Sequence, residues 1–569
     1  MNRSFVVPIT LCILVGCTTS RPHTDEALFS HFVYNGHDAV YDQNPLTSPS
    51  QAYNPILPGW HSDPSVCADG KGNYYLVTST FGLYPGVPLY HSRDLMNWRQ
   101  VGSILTRPEQ LPLDGQNIGK EGIYAASIFY NPGNATYYMI TTNMGRMTHE
   151  YKPGTLVVKT ADPESDWSDP VYLENMGGID PSMFFDEDGR AYVLYCRMHN
   201  RECPGHNSII MQEYDLEADS VITSTAKVIA DKGAKPADQP MCLEGPHLYK
   251  ANGYYYLLCA EGGTELGHSE VVFRSRDIWG PYVAWDKNPI LTQRTLGERE
   301  NGVYCTGHAD IFQDQDGRWW STFLGTRMID GQYENLGRET FLMPLQWTAD
   351  GWPRILEDGQ EVPMVVDIPG AERQAPTFGN FSVIDDFADT ELAPYWMTVR
   401  NDARDKYSLT ESPGALTMRC DSLTASAINS APAFIGRKLQ HHSFDASVHI
   451  DFTPTGDNKA GLLLLKSEDR QYFFALAYQD RSPALHVLKI SNGGKAEKIA
   501  STPVKAIPMD LRISSADGRA FDFAYSHNGE DWIEVASGVP ASYLATNVFG
   551  TADSYTGTLI GPYATSGLK

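Results

Sequence analysis

Hydrophobic and polar positions alternate in short, strand-length runs along most of the chain, and one run returns in five versions. Trp60-His-Ser-Asp-Pro-Ser-Val is answered by Tyr-Ala-Ala-Ser-Ile from Tyr124, Ile-Asp-Pro-Ser-Met-Phe-Phe from Ile179, Glu-Gly-Pro-His-Leu from Glu244 and Gly-His-Ala-Asp-Ile-Phe from Gly307. Each runs through a turn into an aromatic strand: Asn73-Tyr-Tyr-Leu-Val, Thr136-Tyr-Tyr-Met-Ile, Arg190-Ala-Tyr-Val-Leu, Gly253-Tyr-Tyr-Tyr-Leu and Arg318-Trp-Trp-Ser-Thr. The starts lie about sixty residues apart, the spacing of propeller blades rather than of helical repeats. Hairpin turns are signalled by Asp188-Gly189, Asn252-Gly253, Asp316-Gly317 and Asp350-Gly351. The pattern predicts an all-β chain whose residues 54–357 form a five-bladed β-propeller. Aligned on the small or Pro residue, the five versions place Asp63, Ala125, Asp180, Gly245 and His308 in one slot. Closing five blades into a ring would gather those slots around a single axis.

The flanks read differently. Residues 358–380 break into Pro- and Gly-containing text, a linker or a strap across the first domain. From 381 to 569 strands resume without the blade motif. Ala446-Ser-Val-His-Ile-Asp-Phe and Phe521-Asp-Phe-Ala-Tyr alternate, whereas Gly461-Leu-Leu-Leu-Leu and Tyr472-Phe-Phe-Ala-Leu-Ala-Tyr suit strands buried on both faces. These features predict a two-sheet β-sandwich. At the other end, residues 1–17 read as a signal peptide: one Arg, an apolar run too short for a permanent span, and Leu14-Val15-Gly16-Cys17. That ending resembles the lipobox of bacterial lipoproteins, which implies lipidation at Cys17 and anchoring in the periplasm or at the cell surface. Polar, aperiodic residues 18–53 are expected to form a tether.

Composition narrows the class of partner. The net charge of -25 argues against nucleic acid and polyanionic substrates and suits a neutral partner; membrane contact is expected only through the lipid anchor. The Cys residues beyond the leader (Cys67, Cys196, Cys203, Cys242, Cys259, Cys305 and Cys420) show no metal-ligand spacing. Cys67, Cys196 and Cys259 lie in apolar strand patterns, as small buried fillers do; a Cys196–Cys203 disulfide is left open.

Carboxylates stand in or beside three of the slots: Asp63, Asp180 and Glu244. Singly, an Asp before Pro starts a turn and a Glu beside Gly is a solvated loop charge. Three at equivalent blade positions are hard to explain as separate turn residues. Cleaving a glycosidic bond needs an acid to protonate the leaving oxygen and a carboxylate to activate water or to attack. A third charge holds those two pKa values apart.

Asn54-Pro-Ile-Leu-Pro-Gly-Trp-His-Ser-Asp-Pro-Ser, Ile179-Asp-Pro-Ser-Met-Phe-Phe-Asp-Glu-Asp-Gly, Glu244-Gly-Pro-His-Leu-Tyr-Lys, Ala260-Glu-Gly-Gly-Thr, Thr306-Gly-His-Ala-Asp and Leu336-Gly-Arg-Glu-Thr-Phe together resemble glycoside hydrolase family 43. Residues from Asp385 onward resemble, more loosely, the concanavalin-like or jelly-roll sandwich that follows the propeller in that family's β-xylosidases and arabinofuranosidases. The resemblance implies an inverting mechanism with Asp63 as general base, Glu244 as general acid, and Asp180 raising and orienting Glu244. Inversion would set the base and acid carboxyl groups roughly 6.5–9.5 Å apart. It also implies that Arg338 contacts the sugar in the deepest subsite and that Trp60, Phe81 and Tyr124 wall the pocket. No cofactor is required; His308 would lie below the site, where some members hold a structural calcium through water at the propeller centre. Many relatives carry Trp-Ala-Pro where this chain has Tyr124-Ala125-Ala126.

The reading is a lipid-anchored exo-glycosidase removing terminal pentoses from xylo- or arabino-oligosaccharides of plant origin, first as a xylan 1,4-β-xylosidase. An α-L-arabinofuranosidase on arabinoxylan or arabinan is the second reading, and a surface glycan-binding lipoprotein the non-enzymatic one. A retaining fructan hydrolase would show Trp-Met-Asn-Asp-Pro-Asn and Arg-Asp-Pro motifs, and neither occurs. The sandwich is expected to be a structural cap or pocket-completing wall rather than a separate binding module, because Tyr472, Phe473, Phe474 and Tyr478 fall in a buried-strand pattern.

Overall fold

The computed structural model describes residues 25–197, 207–238, 240–374, 379–429, 431–505, 507–548 and 553–568. Within them the chain is built almost wholly of antiparallel strands. The five predicted inner strands each open a separate sheet. Ser65–Ala68, Ile123–Asn131, Ile179–Phe185, Glu244–Ala251 and Val303–Gln313 each pair with the aromatic strand that follows. We number these sheets blades 1 to 5.

Each inner strand touches the next, and that of blade 5 returns to blade 1. Polar links seal the ring close to the axis. Asp310 of blade 5 accepts from the Ser65 hydroxyl at 2.8 Å and the Val66 amide at 2.9 Å. Ser65 accepts in turn from the Ile128 amide of blade 2 at 3.1 Å. Tyr249 of blade 4 donates to the other Asp310 oxygen. Ser65, Val66, Ile128 and Asp310 are buried, so leaving one of their polar groups unpaired would cost its desolvation penalty; together they fix neighbouring blades in register.

The sandwich packs two sheets over one apolar core containing Phe29, Leu462, Leu464, Phe474, Leu511 and Phe523. The continuous apolar runs are explained by a second contact. Alternate residues of the same strands, Leu463, Leu465 and Phe473, turn away from that core and pack with Trp60, Phe81, Leu83 and Ile118 of the propeller. Tyr478 lies beyond this packing and is exposed. Strand pairs also cross between the domains: Thr398–Val399 joins Leu83–Tyr84, and Thr546–Asn547 joins Tyr333–Glu334.

One expectation is corrected. Residues 26–36 are not tether: Glu26–Gly36 is a strand in the middle of one sandwich sheet, paired with Phe444–Asp451 on one side and with Leu416–Arg419 and Ser382–Asp385 on the other. Its residues alternate between the core and a more exposed face, so Ala27, Phe29, Phe32 and Tyr34 are fully buried. The period was hidden by an irregularity in register between Ser30 and Val33. Gln51–Tyr53 pairs with Val365–Asp367, so this part of the segment after the propeller is a strap laid against the N-terminal stretch rather than a free linker. The described Cys residues, Cys196 included, are free thiols; Cys203 lies outside the described residues, as does Cys17. Among the described residues no helix is long and apolar enough to cross a membrane.

Candidate active site

All five slot residues have left-handed backbones: Asp63 φ 55°, Ala125 φ 36°, Asp180 φ 53°, Gly245 φ 57° and His308 φ 51°. In blades 2 to 5 the ladder is interrupted at the slot, between Tyr124 and Ser127, Ile179 and Ser182, Glu244 and His247, and Gly307 and Asp310. The recurring motif is therefore a β-bulge, repeated even where the slot holds no acid. Such bulges re-aim a side chain at the end of a strand. A positive φ at a non-glycine residue costs of order 1–3 kcal/mol and collects at functional sites.

The bulges bring Asp63, Asp180 and Glu244 onto one cavity of about 800 Å³, also lined by Phe81, Tyr124, His268, His308, Arg338 and the loop from Gly262 to Gly267. Asp63 is the most tightly held. It accepts from the Ser79 hydroxyl at 2.5 Å and from Arg338 Nη1 at 3.2 Å. Burial alone would raise this carboxyl. The Arg338 charge and the Ser79 donor outweigh burial and hold it below the usual carboxylate range.

The other two carboxyls move the opposite way. Burial, then the neighbouring Asp63 charge, lifts Asp180 to about 7, although the Gly245 amide donates to it at 3.2 Å. Burial lifts Glu244 well above its ordinary value, and the Asp180 and Asp63 charges add to that. At neutral pH the site thus holds one ionised carboxylate beside a pair that retains a proton, the division that acid–base cleavage requires. Gly245 is required by close approach as well as by conformation, since a Cβ there would meet the His308 ring at 3.0 Å.

A model of "Glycosyl hydrolases family 43" matches residues 52–353, and one of the "Beta xylosidase C-terminal Concanavalin A-like domain" matches residues 384–569. The chain belongs to glycoside hydrolase family 43. A non-reducing end alpha-L-arabinofuranosidase of Bacteroides ovatus is 33% identical over 90% of this chain and 90% of its own length. A xylosidase/arabinosidase of Butyrivibrio fibrisolvens is 34% identical over 91% of this chain and 96% of its own. Among solved structures, a GH43_12 protein from a capybara gut metagenome is 35% identical, with a TM-score of 0.86 over 95% of this chain and 99% of that one. The family assignment and the propeller-plus-sandwich reading agree with what the motifs implied.

Within this family 43 enzyme Arg338 is the hub. Beyond Asp63, its Nη1 donates to Thr264 Oγ1 at 3.0 Å and its Nη2 to the Tyr555 carbonyl at 3.5 Å. Its guanidinium lies 5.8 Å from the Phe81 ring and 5.5 Å from the Tyr555 ring. Phe81, Tyr124 and Tyr555 form a mutually packed aromatic wall with centroids 5.2–5.9 Å apart.

Trp60 is a correction. It is wholly buried behind Phe81, at 6.0 Å between centroids, and does not line the cavity. Its motif places it in the packing between propeller and sandwich, among Leu463, Leu465 and Phe473.

Tyr555 and Ser79 escaped sequence reasoning, as did His268 in the cavity lining. Tyr555 comes from the sandwich, in a segment with no blade motif, and only the docking of the domains carries it into the cavity. Ser79 lies just beyond the aromatic strand Tyr74–Val77 as one of three consecutive hydroxyl residues, Thr78 to Thr80, and bridges Asp63 to the Ala125 amide, which donates to its Oγ at 2.7 Å.

His308 stands with Nδ1 3.6 Å from Asp63 Oδ1, and burial lowers it to about 4, so it is neutral at working pH. Among the described residues the side chains by themselves build no calcium cage: no group of three or more metal-ligating side chains converges. Asp310, the other acid on the axis, has its oxygens committed to Ser65, Val66 and Tyr249. Hard cations want six or more oxygen ligands, and no step below uses one.

Proposed function

We propose that this enzyme removes single terminal pentose residues from the non-reducing ends of plant-derived oligosaccharides with inversion, acting first as a β-xylosidase. The observation that carries the reading is the split ionisation of three carboxyls in a cavity walled on one side by a residue of the second domain. A wall across the cavity favours a chain end over a strand passing through.

In the reaction, Asp63 takes a proton from a water whose oxygen bonds to the anomeric carbon. The bond from that carbon to the leaving oxygen breaks as Glu244 gives that oxygen its proton. Arg338 keeps Asp63 ionised and offers donors to sugar hydroxyls. The aromatic wall takes the apolar face of the ring. Asp180 keeps Glu244 protonated until the leaving oxygen needs it.

An arabinofuranosyl substrate is the second reading, favoured by the name of the Bacteroides ovatus relative and by Tyr124-Ala125-Ala126 at the pocket wall. Hydrolysis of nitrophenyl β-D-xylopyranoside and nitrophenyl α-L-arabinofuranoside side by side separates the two. Asp63→Asn and Glu244→Gln are each expected to lower kcat by about 10²–10⁴-fold on the preferred substrate. Ligand binding that persists in Glu244→Gln, with no turnover in the parent, would instead support a glycan-binding role. Proton NMR of the first sugar released is expected to show the anomer opposite to that of the substrate; the same anomer would defeat inversion.

We also propose export and lipid anchoring at Cys17, supported by Leu14-Val15-Gly16-Cys17. Labelled palmitate should enter the wild-type chain and not Cys17→Ser.

A further inference from the structure

The catalytic cavity has two unlike flanks. Blades 5 and 1 bring Arg338, His308 and Asp63, with the Phe81 and Tyr555 rings beside Arg338. Blades 2 to 4 bring Met144, Ile179, Met241, Cys242 and Leu266 around Asp180 and Glu244. Exposure shows where the cavity opens. Asp63, Asp180, His308 and Arg338 are buried, whereas Met144, Cys242 and Leu266 are half-buried and Met241 is 58% exposed. Large apolar side chains exposed at the mouth of a cavity mark ligand contact.

Local structure holds Met241 there. The Gly262 amide donates to its carbonyl at 2.8 Å, which ties it to the loop from Gly262 to Gly267. Cys242 then turns the chain through a left-handed backbone, φ 52°. One short run thus puts Met241 at the mouth and, three residues on, Glu244 among the acids. Because Glu244 protonates the leaving oxygen, whatever that oxygen carries lies on the outward side of Glu244, toward Met241, Cys242 and Leu266.

This flank offers little to a second sugar. Among the described lining residues its polar side chains beyond the acids are Asn207, Thr264 and Glu265, and Thr264 already accepts from Arg338 at 3.0 Å. Burial pushes the Cys242 thiol up to about 12, so it stays neutral and lines the wall as a small apolar group. A sugar in this open mouth would leave most of its hydroxyls in water and gain little. An apolar body gains by taking itself and Met241 out of water. Thioether side chains also adapt to varied shapes.

We propose that this flank is an aglycone site for apolar alcohols, so that besides oligosaccharides the enzyme cleaves pentosides whose sugar is carried on an apolar body. The proposal rests on the reading of Glu244 as the acid that faces the leaving group.

The test is kcat/KM for the methyl, butyl and hexyl glycosides of the pentose preferred in the nitrophenyl comparison, beside the disaccharide of that pentose. The alkyl leaving groups differ little in acidity, so a trend along the series reports contact with the aglycone rather than leaving-group chemistry. A rise of about tenfold or more from methyl to hexyl is expected, with the hexyl glycoside at least equal to the disaccharide. Met241→Ser should lower the hexyl-to-methyl ratio by about threefold or more, and Met241→Leu should keep it. Met241 is exposed enough for both variants to fold. A flat alkyl series, a disaccharide cleaved much faster than the hexyl glycoside, or a ratio that Met241→Ser leaves alone would overturn the proposal while the pentosidase reading stands. No cleavage of the disaccharide or of any glycoside in the series would defeat both.

Discussion

Ser79 links Asp63, the proposed base, to the neighbouring blade, donating to its carboxylate and accepting from the Ala125 amide. Removing the hydroxyl takes away one of the influences that depress Asp63. Because the base must be ionised, activity is lost as pH falls through the Asp63 pKa; Ser79→Ala raises that pKa, so the acid limb of kcat/KM should move up by roughly one unit. Ser79→Thr should restore it, and an unmoved limb would show that Ser79 only packs. On the proposed mechanism the alkaline limb belongs to Glu244, which must be protonated, so activity is lost as pH rises through its pKa. Asp180→Asn removes a charge that raises Glu244. That limb should therefore move down, with kcat falling, in a pH–rate profile of the purified variant. The two limbs answering to different residues would separate base from acid without a bound ligand.

At the scale of the element, the bulge rather than the strand is the unit that makes the site. Five inner strands share one left-handed residue at their start, and the side chain placed there determines what each blade offers the axis. Blade 4 offers none from its slot. Gly245 instead lends its amide to Asp180 and leaves room for the His308 ring, while Glu244 beside it supplies the acid. Gly245→Ala must both hold φ near 57° and clear an imidazole at 3.0 Å. We expect a loss of about 1–3 kcal/mol in urea unfolding and a fall in kcat of at least tenfold. Unaltered stability would mean that the bulge relaxes freely. This layer was half legible in the sequence. The repeat was visible because Asp-Pro-Ser and its variants recur, but nothing in one-dimensional spacing announces a positive φ at Ala125 or His308.

For the whole molecule, the sandwich is part of the catalytic unit. Its outer leucines and Phe473 pack on the propeller, two strand pairs cross the boundary, and Tyr555 stands in the cavity wall. Removing residues 381–569 would expose that apolar face and leave Glu26–Gly36 without its sheet. The truncated chain is expected to be insoluble or inactive, as size-exclusion chromatography and an activity assay would reveal. Tyr555→Ala separates the two roles: it should fold as the parent does and raise KM about tenfold, the order of one lost stacking contact. A soluble, fully active 54–380 fragment would reduce the sandwich to an appendage.

The chain by itself determined the fold class, the five blades and the three acids, because these rest on local alternation, turn chemistry and a repeated motif. The sandwich strands buried on both faces were equally plain, since Gly461-Leu-Leu-Leu-Leu has no polar side to show to water. Only the tertiary structure decided what met across long separations in sequence. It moved the supposed tether into a sandwich sheet, sent Trp60 behind the wall it was expected to line, and brought Tyr555 from the far end of the chain to Arg338. It also set the ionisation of the acids. A carboxyl's pKa depends on burial and on charges held within a few ångströms, and those distances exist only once the ring has closed.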